Sequence, residues 1–527
     1  MFRKKCFRYI LFALIILNGC TKLHETFRGD LTEGGVGADS TNTSALLQGV
    51  YTSVEEAFSS DLIIWPLLVL STDEGIAPTR GADWDDNGVW RVFHQQKWPS
   101  NNEKIRDAFN VLNGISYAAT DLLRYHPTKK EQAEARFIRA WVMYLLLDMF
   151  DQVPYRDPGE SLIQPARVKK DTAAWNYIVS EINAVEPDLP PNNPVWLANK
   201  FAAKVLLMKC YLNKAVYINR ADPHPNSVDM DKVISLADSI INSNAFSFSK
   251  NYFDDFAPNN TDPLIGRENI FTLKNDPWST TGNGVGLAWI KTVHYNQYPH
   301  LGAANGWTTL SDFYEKFESF DKRRGVHYFY PAPDFPPFPN PGNNVGFLKG
   351  QQYDPYTGDS LKIGTGAPLS YTDSVKNIEL GANLEVTGIR ALKYFPDFPN
   401  YYSPGNDYVF FRFADVLLMK AEAILRGGAG TTAGPYGNTT EKIVNFIRTD
   451  PTRGASYISP ITLDNLLDER GRELWWEGWR RQDLIRFGKF LLPMQEKPDA
   501  SDPKYLLFPI PDEQLAVNPN LHQNPGY

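Results

Sequence analysis

Apolar residues recur at helical spacing through much of the first half of the chain. Between residues 133 and 150, four of them follow one another at four-residue steps: Phe137, Trp141, Leu145 and Met149. Side chains at this spacing lie on one face of an α-helix. The stretch therefore predicts one long amphipathic helix whose apolar face lies in a core.

A second stretch, residues 196–217, repeats this pattern and adds alanines that permit close contact between helices. Its apolar stripe consists of Leu197, Phe201, Val205, Met208 and Leu212. Weaker helical patterns cover residues 103–124, 171–186 and 228–243. Helices of this length with short joints predict stacked helical hairpins like those of tetratricopeptide repeats, although no clean 34-residue repeat is present.

The second half of the chain changes in character twice. From residue 251 to residue 409, proline, glycine, aromatic and amide residues increase, and no strong period survives. Long stretches of this kind in a globular chain are usually functional loops or disordered segments, and the aromatic content favours ordered surface loops. Helical periodicity returns over residues 410–490.

Acids and arginines alternate densely near the end of that helical region. The pairs Asp468–Arg472 and Glu477–Arg481 have the i, i+4 spacing that stabilises a helix by ~0.2–0.5 kcal/mol per pair. We therefore expect a salt-bridged scaffold helix rather than an active site. This helix would hold three aromatic side chains against its neighbours: Trp475, Trp476 and Trp479.

The N-terminus has the features of a lipoprotein signal peptide. Four cations precede a short apolar run that ends in LNGC at Cys20: Arg3, Lys4, Lys5 and Arg8. A run this short is not a spanning helix, which needs ~20 apolar residues. LNGC has the form of a bacterial lipobox, so we expect cleavage after residue 19 and lipidation of the Cys20 thiol. A plain secretory signal followed by an unmodified cysteine is the alternative.

Charge and cysteine content exclude several classes of protein. Removal of residues 1–19 takes four cations and no acid from totals of 53 Lys and Arg and 61 Asp and Glu, which leaves a net charge of −12. Such a chain is not expected to bind nucleic acid or anionic membrane surfaces. Beyond Cys20 the mature chain has only Cys210, so it has no disulfide framework, and Cys210 is expected to be a small buried apolar residue.

Six stretches follow one another in an order that is typical of one protein family. They are LNGC, AEARFIRAWVMYLLLDMFDQVPY, NGWTTLSDFYEKFESFDKRR, FRFADVLLMKAEAILR, LDERGRELWWEGWRRQDLIRFGK and LLFPIPDEQLAVNPNLHQNPGY. In them the chain resembles the SusD/RagB family of outer-membrane nutrient-uptake lipoproteins of Bacteroidetes. The resemblance covers nearly the whole chain, and six motifs together are far more specific than any one.

The resemblance implies a mainly α fold, in which tetratricopeptide-like helical hairpins support long, irregular, aromatic-rich loops. After the signal peptide in residues 1–19, we expect an N-terminal helical region over residues 20–250 and a C-terminal region over residues 251–527. The C-terminal region would be loop-rich over 251–409 and helical over 410–490, and both regions would pack together as one unit. No catalytic residue, metal ligand or cofactor carries over from the family.

The resemblance also implies a place and a role. Proteins of this family sit as a lid over a SusC-like TonB-dependent transporter and capture glycans or other large nutrients at the cell surface. We therefore expect a chain anchored in the outer membrane through the lipid on Cys20 and facing the cell exterior. Acidic residues that often assist surface export are scarce after this cysteine, where TKLHET contains only Glu25.

Residues 81–90, GADWDDNGVW, suggest several kinds of site. Asp83, Asp85, Asn87 and Gly88 match the first half of an EF-hand calcium loop, but the twelfth position holds His94, where a bidentate glutamate is required. Asp83 and Asp85 could serve as the acid and base of a glycosidase, but neighbours on one loop rarely lie across a sugar from each other. An ordinary turn with solvated acids is a further interpretation.

A sugar-binding surface fits the composition of this stretch best. The apolar C–H face of a pyranose stacks on an indole ring, and its hydroxyls bind planar groups such as those of Asp and Asn. The candidates here are Trp84, Asp85, Asp86, Asn87 and Trp90. Further candidates from the aromatic-rich loops are Trp278, Trp289, Tyr295 and Trp307. For Trp307, which precedes a helix in the family pattern, a role in packing is the alternative.

Three classes of function are compatible with these features. A non-catalytic lipoprotein that binds glycans and works with a TonB-dependent transporter is the class that the resemblance favours. A surface glycoside hydrolase would need two separated carboxylates that face a cleft. A structural or assembly lipoprotein would use its helical repeats to bind other proteins, and its aromatic residues would be buried or scattered.

Overall fold

Helices dominate the computed structural model, which describes residues 42–59, 63–275, 291–298, 302–329, 342–382, 384–400 and 404–527. Within these ranges the helices are α1 (Thr43–Ser59), α2 (Trp65–Val69), α3 (Arg91–His94), α4 (Glu103–Leu122), α5 (Lys129–Phe150), α6 (Asp171–Val185), α7 (Lys200–Ile218), α8 (Ser227–Ile241), α9 (Ser311–Tyr314), α10 (Phe413–Leu425), α11 (Thr440–Arg448), α12 (Leu463–Leu474), α13 (Arg480–Arg486) and α14 (Asp512–Val517).

The strands in the same ranges are short and form small sheets. They are β1 (Thr79–Arg80), β2 (Gln152–Tyr155), β3 (Arg167–Lys170), β4 (Asn269–Leu273), β5 (Gly325–Tyr328), β6 (Asn343–Leu348), β7 (Gly350–Gln351), β8 (Ser370–Tyr371), β9 (Ile378–Glu379), β10 (Arg390–Leu392) and β11 (Tyr408–Arg412). One sheet has three strands in the order β10-β6-β5, and the other pairs are β1-β9, β2-β3, β4-β11 and β7-β8. All are antiparallel except β1-β9.

Side-chain caps fix where several of the long helices begin, among them α4, α5 and α7. Asn102 precedes α4 and accepts hydrogen bonds from the first backbone N–H groups of that helix, as Asn199 does for α7. Before α5, Thr128 and Glu131 form a reciprocal capping box. Each cap satisfies backbone donors that have no partner inside the helix, which is worth ~1 kcal/mol. The chain therefore encodes these starts locally.

Consecutive helices pack side by side, as the stacked-hairpin prediction requires. Each helix from α4 to α7 contacts the next one along the chain, and α10 packs against α8 and then against α11 and α12. The mainly α fold with helical hairpins is thus confirmed. Residues Thr43–Tyr527 form one compact unit, while the predicted division near residue 250 stays a prediction. In the described part of the chain, no helix combines the length and apolar character needed to cross a bilayer.

The helix α5 differs from its prediction, because it is a central helix rather than a one-sided one. Every residue from Phe137 to Phe150 is buried, including Arg139 and Asp148. Neighbouring helices surround α5, since it contacts α4, α6 and α7 and also β2. Periodicity identified the helix, but the charged positions between its apolar residues did not mark a face exposed to solvent.

The predicted scaffold helix near the C-terminus is in fact two helices, α12 and α13, joined by a turn. Trp475 and Trp476 lie in that turn with 0% exposure, and Trp479 precedes α13. The predicted i, i+4 ion pairs do not form. Asp468 pairs with Lys316, and Glu477 pairs with Arg412 and Lys393. Asp468 and Arg472 both lie in α12, but Arg472 pairs with Glu469 one turn away and Asp468 turns to Lys316. Glu477 lies in the turn between the two helices, so it has no helical register with Arg481.

A buried network of ion pairs ties α12 to the loop-rich region. Glu473 accepts hydrogen bonds from Arg323, Arg412 and Arg453, at 3.0, 2.7 and 2.7 Å. All four side chains are at most 1% exposed. Burial alone would raise the pKa of Glu473, but the three guanidinium charges hold it well below its usual range. The network fixes the position of the loops that emerge from this core.

Candidate functional site

The GADWDDNGVW loop, residues 81–90, is held by its ends and has an unusual backbone. Arg80, which is 4% exposed, donates to the backbone carbonyls of Leu384 and Thr387. Trp84 adopts a positive φ of 60°, and Asn87 follows with 53°. Asn tolerates this left-handed conformation, whereas for a tryptophan it is strained. The surrounding contacts therefore hold Trp84 in a position that its backbone does not favour.

Trp84 rests on a cluster of tryptophans that extends into the core. Its ring centroid lies 5.8 Å from that of Trp307, which also contacts Trp90 at 5.7 Å and stacks on Trp65 at 5.2 Å. Trp65 in turn meets Trp476 at 5.3 Å. The indole N–H of Trp84 donates to the Ala304 carbonyl at 3.2 Å. The cluster gives Trp84 a rigid base on its inner side.

Gly306 shapes the contact between Trp84 and the segment that leads to Trp307. A Cβ atom on Gly306 would lie 2.4 Å from Cζ2 of Trp84 and 3.0 Å from the Lys291 carbonyl oxygen. Carbon atoms in contact normally stay at 3.5–4.0 Å. Only glycine therefore fits at this position while Trp84 keeps its place.

An open cleft of about 860 Å³ lies beside this cluster. Its walls combine the indoles of Trp84 and Trp90 with Asp86, Asn87, Asn101 and Lys104. Trp84 is half-buried, and Asp86 and Asn87 are exposed. Asp86 accepts a hydrogen bond from the Trp90 indole at 3.0 Å, and the Lys104 ammonium lies 5.1 Å from the Trp90 ring centroid. The cleft thus offers a partly open indole next to fixed polar groups, an arrangement suited to a ring with one apolar face and several hydroxyls.

The two remaining candidate tryptophans that the structure describes are buried, at 2% exposure for Trp90 and 1% for Trp307. Trp90 lines the cleft but is almost fully covered, and Trp307 packs against Trp84 and is not part of the cleft wall. Direct ligand contact by Trp307 is therefore not supported, and its packing role is the one that the geometry favours. Trp278 and Trp289 lie outside the described residues, as does the predicted lipidation site Cys20.

Asp85 serves the loop rather than the cleft. Its carboxylate pairs with Arg91 at 3.1 Å, and Arg91 also donates to the Thr79 hydroxyl. The EF-hand interpretation fails at its twelfth position, His94. Both ring nitrogens of His94 face backbone carbonyls, those of Gly75 and Gln495, so this side chain is not available to a calcium ion. Among the described residues, no group of three or more His, Cys, Asp or Glu side chains is arranged to hold a metal ion.

Tyr295 lies on a separate exposed patch and not in the wall of the cleft. Its hydroxyl donates to a carboxylate oxygen of Glu385 at 2.6 Å, and the same oxygen lies 2.8 Å from Nε2 of the buried His294. Burial and the bond to Glu385 raise the pKa of Tyr295 to about 12, and the negative charge of Asp83 adds to this shift. Ligand contact by Tyr295 therefore stays a prediction that the cleft itself does not include.

Sequence reasoning missed the polar residues that complete the cleft: Asn101, Asn102, Lys104 and Lys291. Asn102 carries a detectable signal, because an asparagine before a helical pattern predicts an N-cap, but that signal concerns the helix and not a ligand. No local pattern in the sequence indicates that Lys291 comes next to residues 84–90. Glu385 was missed for the same reason, since its partners are about 90 positions away.

These observations define the class of the fold: a scaffold of helical hairpins that carries a loop-built cleft with aromatic and polar walls. Comparison with known proteins gives the class its family. The model of the SusD family matches residues 239–502, which is just over half of the chain. The chain belongs to the SusD family.

Relatives and solved structures agree with this assignment. The chain is 27% identical to the starch-binding protein SusD of Bacteroides thetaiotaomicron over 438 residues, which cover 76% of this chain and 73% of the relative. It is 23% identical to SusD-like protein P2 of Formosa agariphila, over 98% of both chains. A solved structure of a laminarin-binding SusD-like protein superposes with a TM-score of 0.67 at 17% identity, covering 92% of this chain and 99% of that one. The structural likeness concerns the fold.

Proposed function

We propose that this protein is a non-catalytic, cell-surface glycan-binding lipoprotein that passes its ligand to a SusC-like TonB-dependent transporter. The observation that carries the proposal is the cleft in which half-buried Trp84 adjoins Asp86, Asn87 and Asn101. Membership in the SusD family supports it, as do relatives whose names record binding of starch and laminarin. Attachment to the outer membrane would use a lipid on Cys20.

Binding in the cleft would combine stacking with hydrogen bonds. The C–H face of one sugar ring stacks on the open face of Trp84, and its hydroxyls bind the carboxylate of Asp86 and the amides of Asn87 and Asn101. Because Trp84 is fixed by its bond to the Ala304 carbonyl and by Trp307, little side-chain entropy is lost on binding. The site binds and orients a sugar without making or breaking a bond.

Weak binding of one ring suffices for capture when the ligand is a polymer. A glycan presents many equivalent rings to one cleft, and anchoring confines many copies of the protein to one surface. Rebinding at high effective concentration then raises the retention of the polymer far above the affinity of a single ring. Handover to the transporter would follow when the protein moves relative to its partner.

A glycan panel tests the proposal with the chain from residue 21 onward, which retains the compact unit Thr43–Tyr527. Affinity electrophoresis compares wild type with Trp84→Ala. We expect one class of polysaccharide to retard the wild type, and we expect the substitution to weaken this binding about fivefold or more, since stacking on an aromatic ring supplies ~1 kcal/mol. The melting temperature should change little, because Trp84 is only half-buried.

Trp196→Ala is the matched control, because Trp196 is also half-buried but lines a different pocket, next to Lys274. It should leave glycan retardation unchanged. A large fall in stability for Trp84→Ala alone would mean that Trp84 belongs to the core and that the proposed site is wrong. Release of reducing ends by the purified protein would instead favour a glycoside hydrolase, and no retardation by any polymer would favour an assembly role.

A further inference from the structure

A second pocket lies on the β5–β6 hairpin, away from the cleft walls just described. It has a volume of about 410 Å³ and is lined by residues that include Tyr314, Ser319, Arg324, His327, Asn344 and Lys349. We call it the Arg324 pocket. Arg324 ends the short turn before β5, and Lys349 directly follows β6. Its size lies within the range of small-molecule sites.

The Arg324 side chain is held in place but has no acidic partner. Its guanidinium carbon lies 3.9 Å from the ring centroid of Tyr314, a buried residue that also packs edge-on against Phe347. Stacking of this kind fixes the plane of the guanidinium group and its fork of N–H donors. Among the residues that the structure describes, no carboxylate lies within ion-pair distance of Arg324, and none of the residues lining the pocket is acidic.

Lys349 supplies a second cation to the same pocket. Its ammonium lies 5.5 Å from the Tyr314 ring centroid and 2.7 Å from a carboxylate oxygen of Asp373. Asp373 therefore balances Lys349, and Arg324 remains the uncompensated charge. On a chain whose acids outnumber its cations, a half-buried, preoriented arginine without a partner is a feature that an anionic ligand would complete.

We propose that the Arg324 pocket binds the oxyanion of an acidic sugar, either the carboxylate of a uronic acid or a sulfate ester. Two N–H groups of Arg324 hold two oxygens of the oxyanion, and Lys349 adds a point charge from the side. The hydroxyl of Ser319 and the amide of Asn344 are available to the sugar ring. The choice of a sugar rests on the proposed function, whereas the oxyanion site rests on this pocket alone.

Ligand-observed NMR titration of the chain from residue 21 onward tests this inference with four probes. They are D-glucuronate, its uncharged methyl ester, glucose 6-sulfate and glucose. We expect at least one charged probe to bind about tenfold or more tightly than the methyl ester and glucose, and we expect this preference to shrink as salt screens the charges. Binding of glucuronate alone or of the sulfate alone identifies the source of the oxyanion.

Variants distinguish specific binding in the Arg324 pocket from nonspecific attraction of the charged probes to cations on the protein surface. Arg324→Gln should abolish the preference for the charged probe, Arg324→Lys should keep part of it because the charge remains without the fork, and Lys349→Gln should weaken it several-fold. Lys322→Gln removes an exposed cation two positions from Arg324 that does not line the pocket, and it should leave binding unchanged. Melting temperatures establish that each variant is folded.

The outcomes distinguish this inference from the proposed function. If neither charged probe is preferred, or if Lys322→Gln has the same effect as Arg324→Gln, the oxyanion site is wrong. Trp84→Ala should leave the preference for the charged probe intact, while Arg324→Gln should leave the retardation by a neutral polysaccharide intact. A protein that binds the charged probe but no polysaccharide at all would retain the oxyanion site and refute the proposed function.

Discussion

Substitution of Gly306 by alanine tests how the structure holds Trp84, without removing any group that would touch a ligand. The new Cβ would lie 2.4 Å from Cζ2 and 2.8 Å from Cε2 of Trp84. Since carbon atoms keep about 3.5 Å apart, the indole must move outward by about 1 Å. Such a shift strains the bond from the indole to the Ala304 carbonyl, and overpacking of this kind costs about 1–3 kcal/mol of folding stability.

A double-mutant cycle gives this prediction its sharpest form. Gly306→Ala should lower stability by about 1–3 kcal/mol in the wild-type background, as measured by urea unfolding, and should weaken glycan binding although Trp84 is still present. In the Trp84→Ala background the clashing ring is absent. The stability cost of Gly306→Ala should then fall to the small part that comes from the Lys291 carbonyl. The difference between the two costs is the coupling energy, and we expect it to be at least about 1 kcal/mol.

Gly114→Ala is the control for this cycle. Gly114 lies within α4, and a Cβ there would meet no atom within 4 Å. The change should raise stability by about 0.5–1 kcal/mol, because alanine is the better helix former, and it should leave binding unchanged. If Gly306→Ala proved as harmless as Gly114→Ala, or if its cost were the same with and without Trp84, the proposed placement of Trp84 against Gly306 would be refuted.

Two further predictions concern buried acids. Burial raises the pKa of Glu74 to about 8, above its ordinary value of 4.5. Protonation of Glu74 therefore stabilises the folded state relative to the unfolded one. This contribution is complete below pH 4.5 and is lost as the pH rises through 8. Urea unfolding should therefore find Glu74→Gln more stable relative to wild type at pH 9 than at pH 5, by a few kcal/mol, whereas an equal difference at both pH values would contradict the shift. Glu473→Gln leaves three buried guanidinium groups without their shared carboxylate and should cost about 3–5 kcal/mol in the same assay. Asp464 lies on the same helix as Glu473 and forms an exposed pair with Lys489, so Asp464→Asn should cost less than about 1 kcal/mol. Similar losses for both variants would show that the Glu473 network contributes no more than a surface pair.

Helices were predictable wherever local chemistry decides them. The patterns over residues 103–124, 171–186 and 228–243 correspond to α4, α6 and α8 within a few residues. Two local signals mark these helices: the periodic spacing of apolar side chains and N-caps such as Asn102. Both act within one or two helical turns, so they can be recognised without knowing which distant segments pack against the helix. The same local patterns, joined to six family motifs, led to the fold and the family.

Burial and pairing were not predictable, because they depend on which distant segments arrive. The charged positions of α5 suggested an exposed face, yet neighbouring helices enclose that face as well. In the C-terminal stretch, Glu477 has the spacing to pair with Arg481 but pairs with Arg412, 65 positions away, because the turn after α12 points it into the core. An ion pair chosen by tertiary geometry leaves no trace in sequence spacing.

The candidate site shows the same division between local and long-range information. The sequence by itself determined that residues 81–90 hold tryptophan, aspartate and asparagine together, a composition suited to sugars, and that the chain resembles the SusD/RagB family. Only the tertiary structure decided that Trp84 is partly open, that Trp90 is covered, and that Trp307 supports Trp84 from beneath. These three indoles receive different roles because exposure in loops is set by contacts between distant segments, such as the bond from Trp84 to the Ala304 carbonyl, 220 positions away.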